Sequence, residues 1–140
     1  MLSDENKKRF IVILNKKIET WKLFNALAHM TAGFWVGKSD NFEFVQYFWE
    51  NTELFWSISN YPFIVLKADN GNQIRTVKNE CVKRNISFSI FTDTMRVGTT
   101  QEQLELTKNT RDEDLEYFWI IFFGETQELQ EFTKKYSLFK

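Results

Sequence analysis

Proline, cysteine and histidine each occur once in this chain of 140 residues, and glycine occurs five times. Each scarcity removes a class of explanation. The lone cysteine, Cys81, makes neither an internal disulfide nor a multi-cysteine zinc site, and it fits a reducing compartment. Its place in a helical apolar stripe marks it as core rather than nucleophile. With a single histidine, His29, no metal site is expected. Neither G-x-G-x-x-G nor the full phosphate loop G-x-x-x-x-G-K-[ST] occurs, since Gly37-Lys38-Ser39 has Ala32 where the loop needs its first glycine, so no cofactor is expected either. The G-x-S-x-G elbow of serine hydrolases is also missing. Charge of one sign does not dominate: 18 Lys and Arg face 19 Asp and Glu. No global basic field therefore draws in nucleic acid, and such a role would need a local patch. No apolar run approaches the roughly 20 residues that span a bilayer, and the opening MLSDENKKR lacks a signal-peptide core. These absences set the expectation of a cytoplasmic protein with no membrane partner.

What the chain has in abundance is aromatic mass, with 15 Phe and 5 Trp. The length suits one domain, residues 1–140, able to bury a core. Residues 10–14, FIVIL, form a short β-branched run that predicts a strand buried on both faces. A helix is expected from Thr20 to about Val36, with Leu23, Leu27, Met30 and Phe34 on its apolar side. The aromatic stretch 42–58, broken by Asn51-Thr52-Glu53, predicts a β-hairpin carrying more apolar surface than a two-stranded ribbon buries alone. It is expected to pack on the rest of the domain or on a second copy in a homodimer.

Residues 61–66 predict a further strand with Pro62 near its start. The stripe Ile74, Val77, Cys81 predicts a helix over 73–84, closed by Asn85 in a left-handed cap. A strand follows over 86–91, then a loop. Thr100 and Gln103 suggest a capping box opening a short helix. Residues 117–123, the most apolar run, are expected at the sheet centre and to stop at Gly124. A last helix is expected over 126–136. Strands alternating with amphipathic helices predict an α/β fold, with helices on both sides of a mixed sheet.

Lys22, Asn25 and His29 are spaced i, i+3, i+7, which puts them on one helical face opposite the apolar side. The two outer members stand about 10 Å apart along the axis. In open α/β sheets ligands bind beyond the carboxyl ends of strands, where this helix begins. Lys16 and Lys17 add positive charge there. Asp93 and Arg96, in the loop FTDTMRVG after a strand, are a carboxylate able to orient a water and a cation able to hold an anion. DNGNQIR, residues 69–75, is a second candidate anion site at a helix start.

The segments RFIVILNKKIETWKLFNALAHMTAG, ISNYPFIVLKADNGNQIRTVKNE, FTDTMRVGTTQEQLELTKNT and FFGETQELQEFTKKYSLFK carry a resemblance. They resemble the family called domain of unknown function 2000, which is similar in fold to the type 2 peptidyl-tRNA hydrolases. The resemblance implies a mixed four-stranded sheet flanked by helices on both faces, with the aromatic hairpin inserted. It also implies that Lys22 and His29 match a lysine and histidine of the hydrolases' first helix, and that Asp93 and Arg96 match an aspartate and a basic residue after their third strand. The family's glutamine in that helix falls on Ala26, its glycines around the lysine are absent from IETWK, and its threonine falls near Trp119. Three functions follow as expectations. One is a hydrolase of an ester such as peptidyl-tRNA, with Lys22 and Asp93 catalytic and Lys16, Lys17, Asn25 and Arg96 holding substrate. The second is a non-catalytic module for a small anionic ligand, and the third is a dimeric interaction protein. On the hydrolase comparison His29 is better taken as a structural residue of the helix.

Overall fold

A computed structural model describes residues 6–38, 42–96 and 98–140. The elements run β1 (Lys8–Asn15), α1 (Thr20–Lys38), β2 (Phe44–Phe48), β3 (Phe55–Ser59), β4 (Phe63–Ala68), α2 (Gly71–Lys83), β5 (Phe88–Thr92), α3 (Thr100–Asn109), β6 (Tyr117–Glu125), α4 (Thr126–Thr133) and β7 (Ser137–Leu138). The main sheet has the order β5-β6-β1-β4-β7, and β2 with β3 forms a separate ribbon.

β1 pairs parallel with β4 and antiparallel with β6, and β6 pairs antiparallel with β5. Strands β1, β4 and β5 therefore run in one direction, and their carboxyl ends share one edge of the sheet. The expected buried run is β1, and its side chains divide by alternation. Ile11 and Ile13 face α2 and α4 through Ile74, Val77, Cys81 and Leu129. Phe10, Val12 and Leu14 face α1 through Leu23, Ala26 and Phe34. Helices thus cover both faces of a mixed sheet, as the alternation of elements predicts.

Several details differ from the sequence reading. The sheet has five strands, not four, because β7 pairs with the outer edge of β4 at Leu66↔Leu138 and Lys67↔Ser137. The last helix accordingly ends at Thr133, before Tyr136, whose hydroxyl donates to the Gln73 carbonyl. β1, not β6, takes the middle place, as the third of the five strands. Gly124 does not stop β6, because ladder pairing to Arg9 carries the strand through it to Glu125. The capping box lies one residue earlier than expected: the Thr99 hydroxyl accepts from the Glu102 N–H, and the Glu102 carboxylate accepts from the Thr99 N–H. Asn85 does take the left-handed conformation, with φ of 55°. Among the described residues no helix is long and apolar enough to cross a membrane.

Candidate functional site

The turn after β1 is held by one buried amide. The Asn15 side chain donates to the Tyr117 carbonyl at 3.1 Å and accepts from the Lys17 N–H at 3.0 Å. The Lys16 N–H donates to the Ala68 carbonyl, tying the same turn to β4. The Glu19 carbonyl then accepts from the Lys22 and Leu23 N–H groups and opens α1. These bonds fix where the first turns of α1 stand over the carboxyl ends of β1 and β5.

On the other side of the same edge, β5 runs into a 3-10 turn, Asp93–Met95. Its hydroxyl chain, Thr92 to Thr94 to Thr107, with steps of 2.8 Å, straps the turn to α3. Gly98 follows with φ of +85°, a conformation that favours glycine, and a Cβ there would meet Glu102 Oε2 at 2.5 Å. The chain thereby enters α3 with its capping box closed.

Between α1 and this turn lies a crevice of about 650 Å³. α1 supplies Trp21, Lys22, Asn25, Ala26 and His29, the turn supplies Met95 and Arg96, and α3 supplies Thr100 and Gln103. Phe91 and Phe118 of the sheet complete the lining. The Arg96 guanidinium lies over the Phe118 ring, 5.2 Å from its centroid, which holds the cation without consuming its hydrogen-bond donors. Lys22 Nζ bonds Glu19 Oε1 at 2.9 Å and lies 5.4 Å from the Trp21 ring centroid. The Glu19 carboxyl is held below its usual range, first by that bond to Lys22, then by the Trp21 indole N–H and by the positive charges of Lys22 and Arg96.

The structure brings Lys22, Asn25, His29 and Arg96 together and leaves the other candidates outside. Lys16 turns to the β4–α2 loop and pairs with Asp69 at 2.6 Å. Lys17 is exposed and does not line the crevice. Asp93 does not line it either: its N–H donates to the Glu116 carbonyl at 3.1 Å, and its Oδ1 accepts from the Glu116 N–H at 3.0 Å. His29 is exposed on the crevice wall, so the reading of it as a structural residue of the helix gives way to a lining one. At the start of α2, the Asn70 side chain accepts the Gln73 N–H as an ordinary cap.

Sequence reasoning missed Glu19, Trp21, Thr100 and Gln103. Glu19 was within reach, since an acid three residues before a lysine at a helix start forms an i, i+3 pair. Thr100 and Gln103 carried no signal, because only the tertiary fold sets α3 beside α1. A second cleft, about 510 Å³, opens at the opposite end of the strands beside Lys8, Glu43, Arg84 and Glu128. Among the described residues no group of three or more His, Cys, Asp or Glu is placed to hold a metal.

A model of the family described as protein of unknown function (DUF2000) matches residues 8–140. No curated protein matches. A solved structure of a protein of unknown function from Agrobacterium tumefaciens superposes with a TM-score of 0.81 at 16% identity, covering 96% of this chain and 98% of that one. That likeness establishes a shared fold.

Proposed function

The chain belongs to the DUF2000 family, and on that premise we propose that the crevice between α1 and α3 binds a small organic anion with a flat apolar body. The observation that carries this reading is the convergence of two cations, Lys22 and Arg96, on one cavity. Asn25, His29, Thr100 and Gln103 add further polar groups to the same cavity, and Phe91, Phe118 and Met95 supply an apolar surface. Few polar groups over an apolar floor is the composition of small-molecule sites. Glu19 is then a placeholder: it pairs with Lys22 and yields to the ligand's own anion.

Calorimetric titration with phenyl phosphate and with inorganic phosphate tests this. Phenyl phosphate is expected to bind more tightly, because the ring gains the apolar floor. Lys22→Ala and Arg96→Ala are each expected to weaken it about tenfold, the loss of roughly 1.4 kcal/mol. The same affinity in the double variant would sink the proposal.

A second reading makes the crevice the site of a hydrolase acting on an ester such as peptidyl-tRNA. It is favoured by the presence of Lys22, Asn25 and Arg96 in one cavity, where Lys22 would polarise the carbonyl or hold a phosphate. It requires Asp93 to orient the attacking water while one of its oxygens stays committed to the Glu116 N–H. Lys16 and Lys17, outside the cavity, would meet only the distant part of so large a substrate. Near-neutral net charge works against tRNA affinity. Release of an N-blocked amino acid from tRNA, lost in Lys22→Ala and Asp93→Asn, would establish it; release unchanged in both variants would exclude it.

A further inference from the structure

The hairpin of β2 and β3 does not bury its aromatic side chains. In its register Val45 faces Ile58 and Tyr47 faces Trp56 across the strands. The Trp49 N–H donates to the Leu54 carbonyl, so the alternation carries Trp49 and Leu54 to the same side. One face of the ribbon is therefore formed by six apolar or aromatic side chains with no charge among them. All six are exposed, from 38% for Val45 to 70% for Leu54. The opposite face meets the body only at its root, where Phe44 packs on Trp35 of α1 at 4.6 Å between centroids, while Phe48 and Phe55 farther out are exposed. That face is interrupted by Gln46, Ser57 and Ser59.

We propose that the Val45–Tyr47–Trp49 and Leu54–Trp56–Ile58 face docks on the same face of a second copy of this chain across a two-fold axis. A two-stranded ribbon exposed on both sides is marginal in water, so a cover for this face stabilises the element as well as the assembly. With whole aromatic side chains at about 150–250 Å², the exposed fraction of the six amounts to roughly 600 Å² per protomer. Two copies would bury about 1,200 Å², the lower end of specific interfaces. A two-fold contact needs a self-complementary patch, and an uncharged apolar face is self-complementary without charge matching. Tyr47 and Trp56, stacked 6.1 Å apart at its centre, are the residue types that dominate interface energies.

Charge selects against the other occupants. Residues 42–61 hold Glu43, Glu50 and Glu53 and no Lys or Arg, so phosphate-rich surfaces, whether anionic lipid or nucleic acid, are repelled. Strands crossing in opposite senses about the two-fold keep the Glu50 and Glu53 tips of the two copies apart.

Sedimentation equilibrium of the full chain tests the proposal. A monomer–dimer equilibrium in the micromolar range is expected, as suits an interface of this size. Trp56→Glu and Tyr47→Glu should each raise the dissociation constant at least a hundredfold. Gln46→Glu adds the same charge to the opposite face and should leave the dimer intact. Thermal unfolding of each variant at a concentration where all are monomeric separates misfolding from loss of docking. A wild-type chain that stays monomeric at several hundred micromolar overturns the proposal. So does a dimer that survives Trp56→Glu and Tyr47→Glu, and so does flotation of monomeric protein with phosphatidylcholine vesicles, which would make lipid the occupant.

Discussion

At the residue scale, Asn15 shows how one amide positions a site. It is 2% exposed, and both ends of its side chain are bonded, to the Tyr117 carbonyl and the Lys17 N–H. Asn15→Ala strands both partners, the Tyr117 carbonyl in a buried bond, and a loss of about 2 kcal/mol in urea unfolding is expected. Asn15→Asp should not rescue it, because a carboxylate cannot donate to the Tyr117 carbonyl. Asp93 belongs to the same kind of argument. Asp93→Asn keeps an oxygen for the Glu116 N–H and should leave stability near wild type, whereas Asp93→Ala should lose about 1–2 kcal/mol. If anion binding is unchanged in Asp93→Asn while Lys22→Ala weakens it, the binding reading of the crevice stands and a catalytic carboxylate is not needed. Cys81 is fully buried, and burial pushes its thiol up to about 12. Native protein should resist iodoacetamide at pH 8, with reaction appearing only on unfolding, as mass spectrometry would record.

At the element scale, the two walls of the crevice differ in how firmly they are held. α1 buries Leu23, Ala26 and Phe34 against the sheet, while α3 buries none of its side chains and leaves Leu104 and Leu106 exposed. Its attachment is the capping box and the hydroxyl chain through Thr107. Amides of α3 should therefore exchange with solvent well before those of β1 and β6, and hydrogen exchange followed by mass spectrometry reads this directly. Thr99→Ala removes the cap and should cost about 1 kcal/mol, while accelerating that exchange. Gly71, the first residue of α2, is fixed by a close approach: a Cβ there would meet the Tyr117 backbone O and N at 3.0 and 3.1 Å. α2 begins against β6, which explains why no larger residue follows the Asn70 cap.

At the scale of the whole molecule, Asp112 ties together parts far apart in sequence. It accepts from Lys78 at 2.9 Å, pairs with Arg75 at 3.4 Å, and accepts the Tyr117 hydroxyl. The bond to Lys78, then that to Tyr117, with the Lys78 and Arg75 charges, hold its carboxyl below the usual range. Asp69, Glu19 and Glu102 are lowered in the same direction by Lys16, Lys22 and the Thr99 N–H respectively. A carboxyl whose folded value lies below its unfolded one, about 3.9 for Asp and 4.3 for Glu, stabilises the fold above that unfolded value. That contribution is lost as pH falls through the lower, folded value. From these carboxyls, stability should be level between about pH 5 and pH 8 and fall steadily below about pH 4. Asp112→Asn should flatten that acid limb in a series of urea titrations.

The order of strands and helices, the division of β1 between two cores and the helical stripe of α2 follow from periodicity, because each repeats within a window of ten or so residues. The same holds for the shared face of Lys22, Asn25 and His29, which the 3.6-residue turn imposes. β7 lies beyond such reasoning: two residues have no period, and pairing with β4 alone makes them a strand. The partners of the charged side chains also lie beyond it. Lys16 turns to Asp69 and Asp93 to Glu116, leaving Lys22 and Arg96 as the cations of the crevice. Sequence alone determined an α/β chain with a cationic helix face at the carboxyl edge of its strands and an aromatic ribbon. Only tertiary structure decided which charges meet across that edge and that the aromatic ribbon stays largely uncovered, since both depend on distances between segments that no local periodicity encodes.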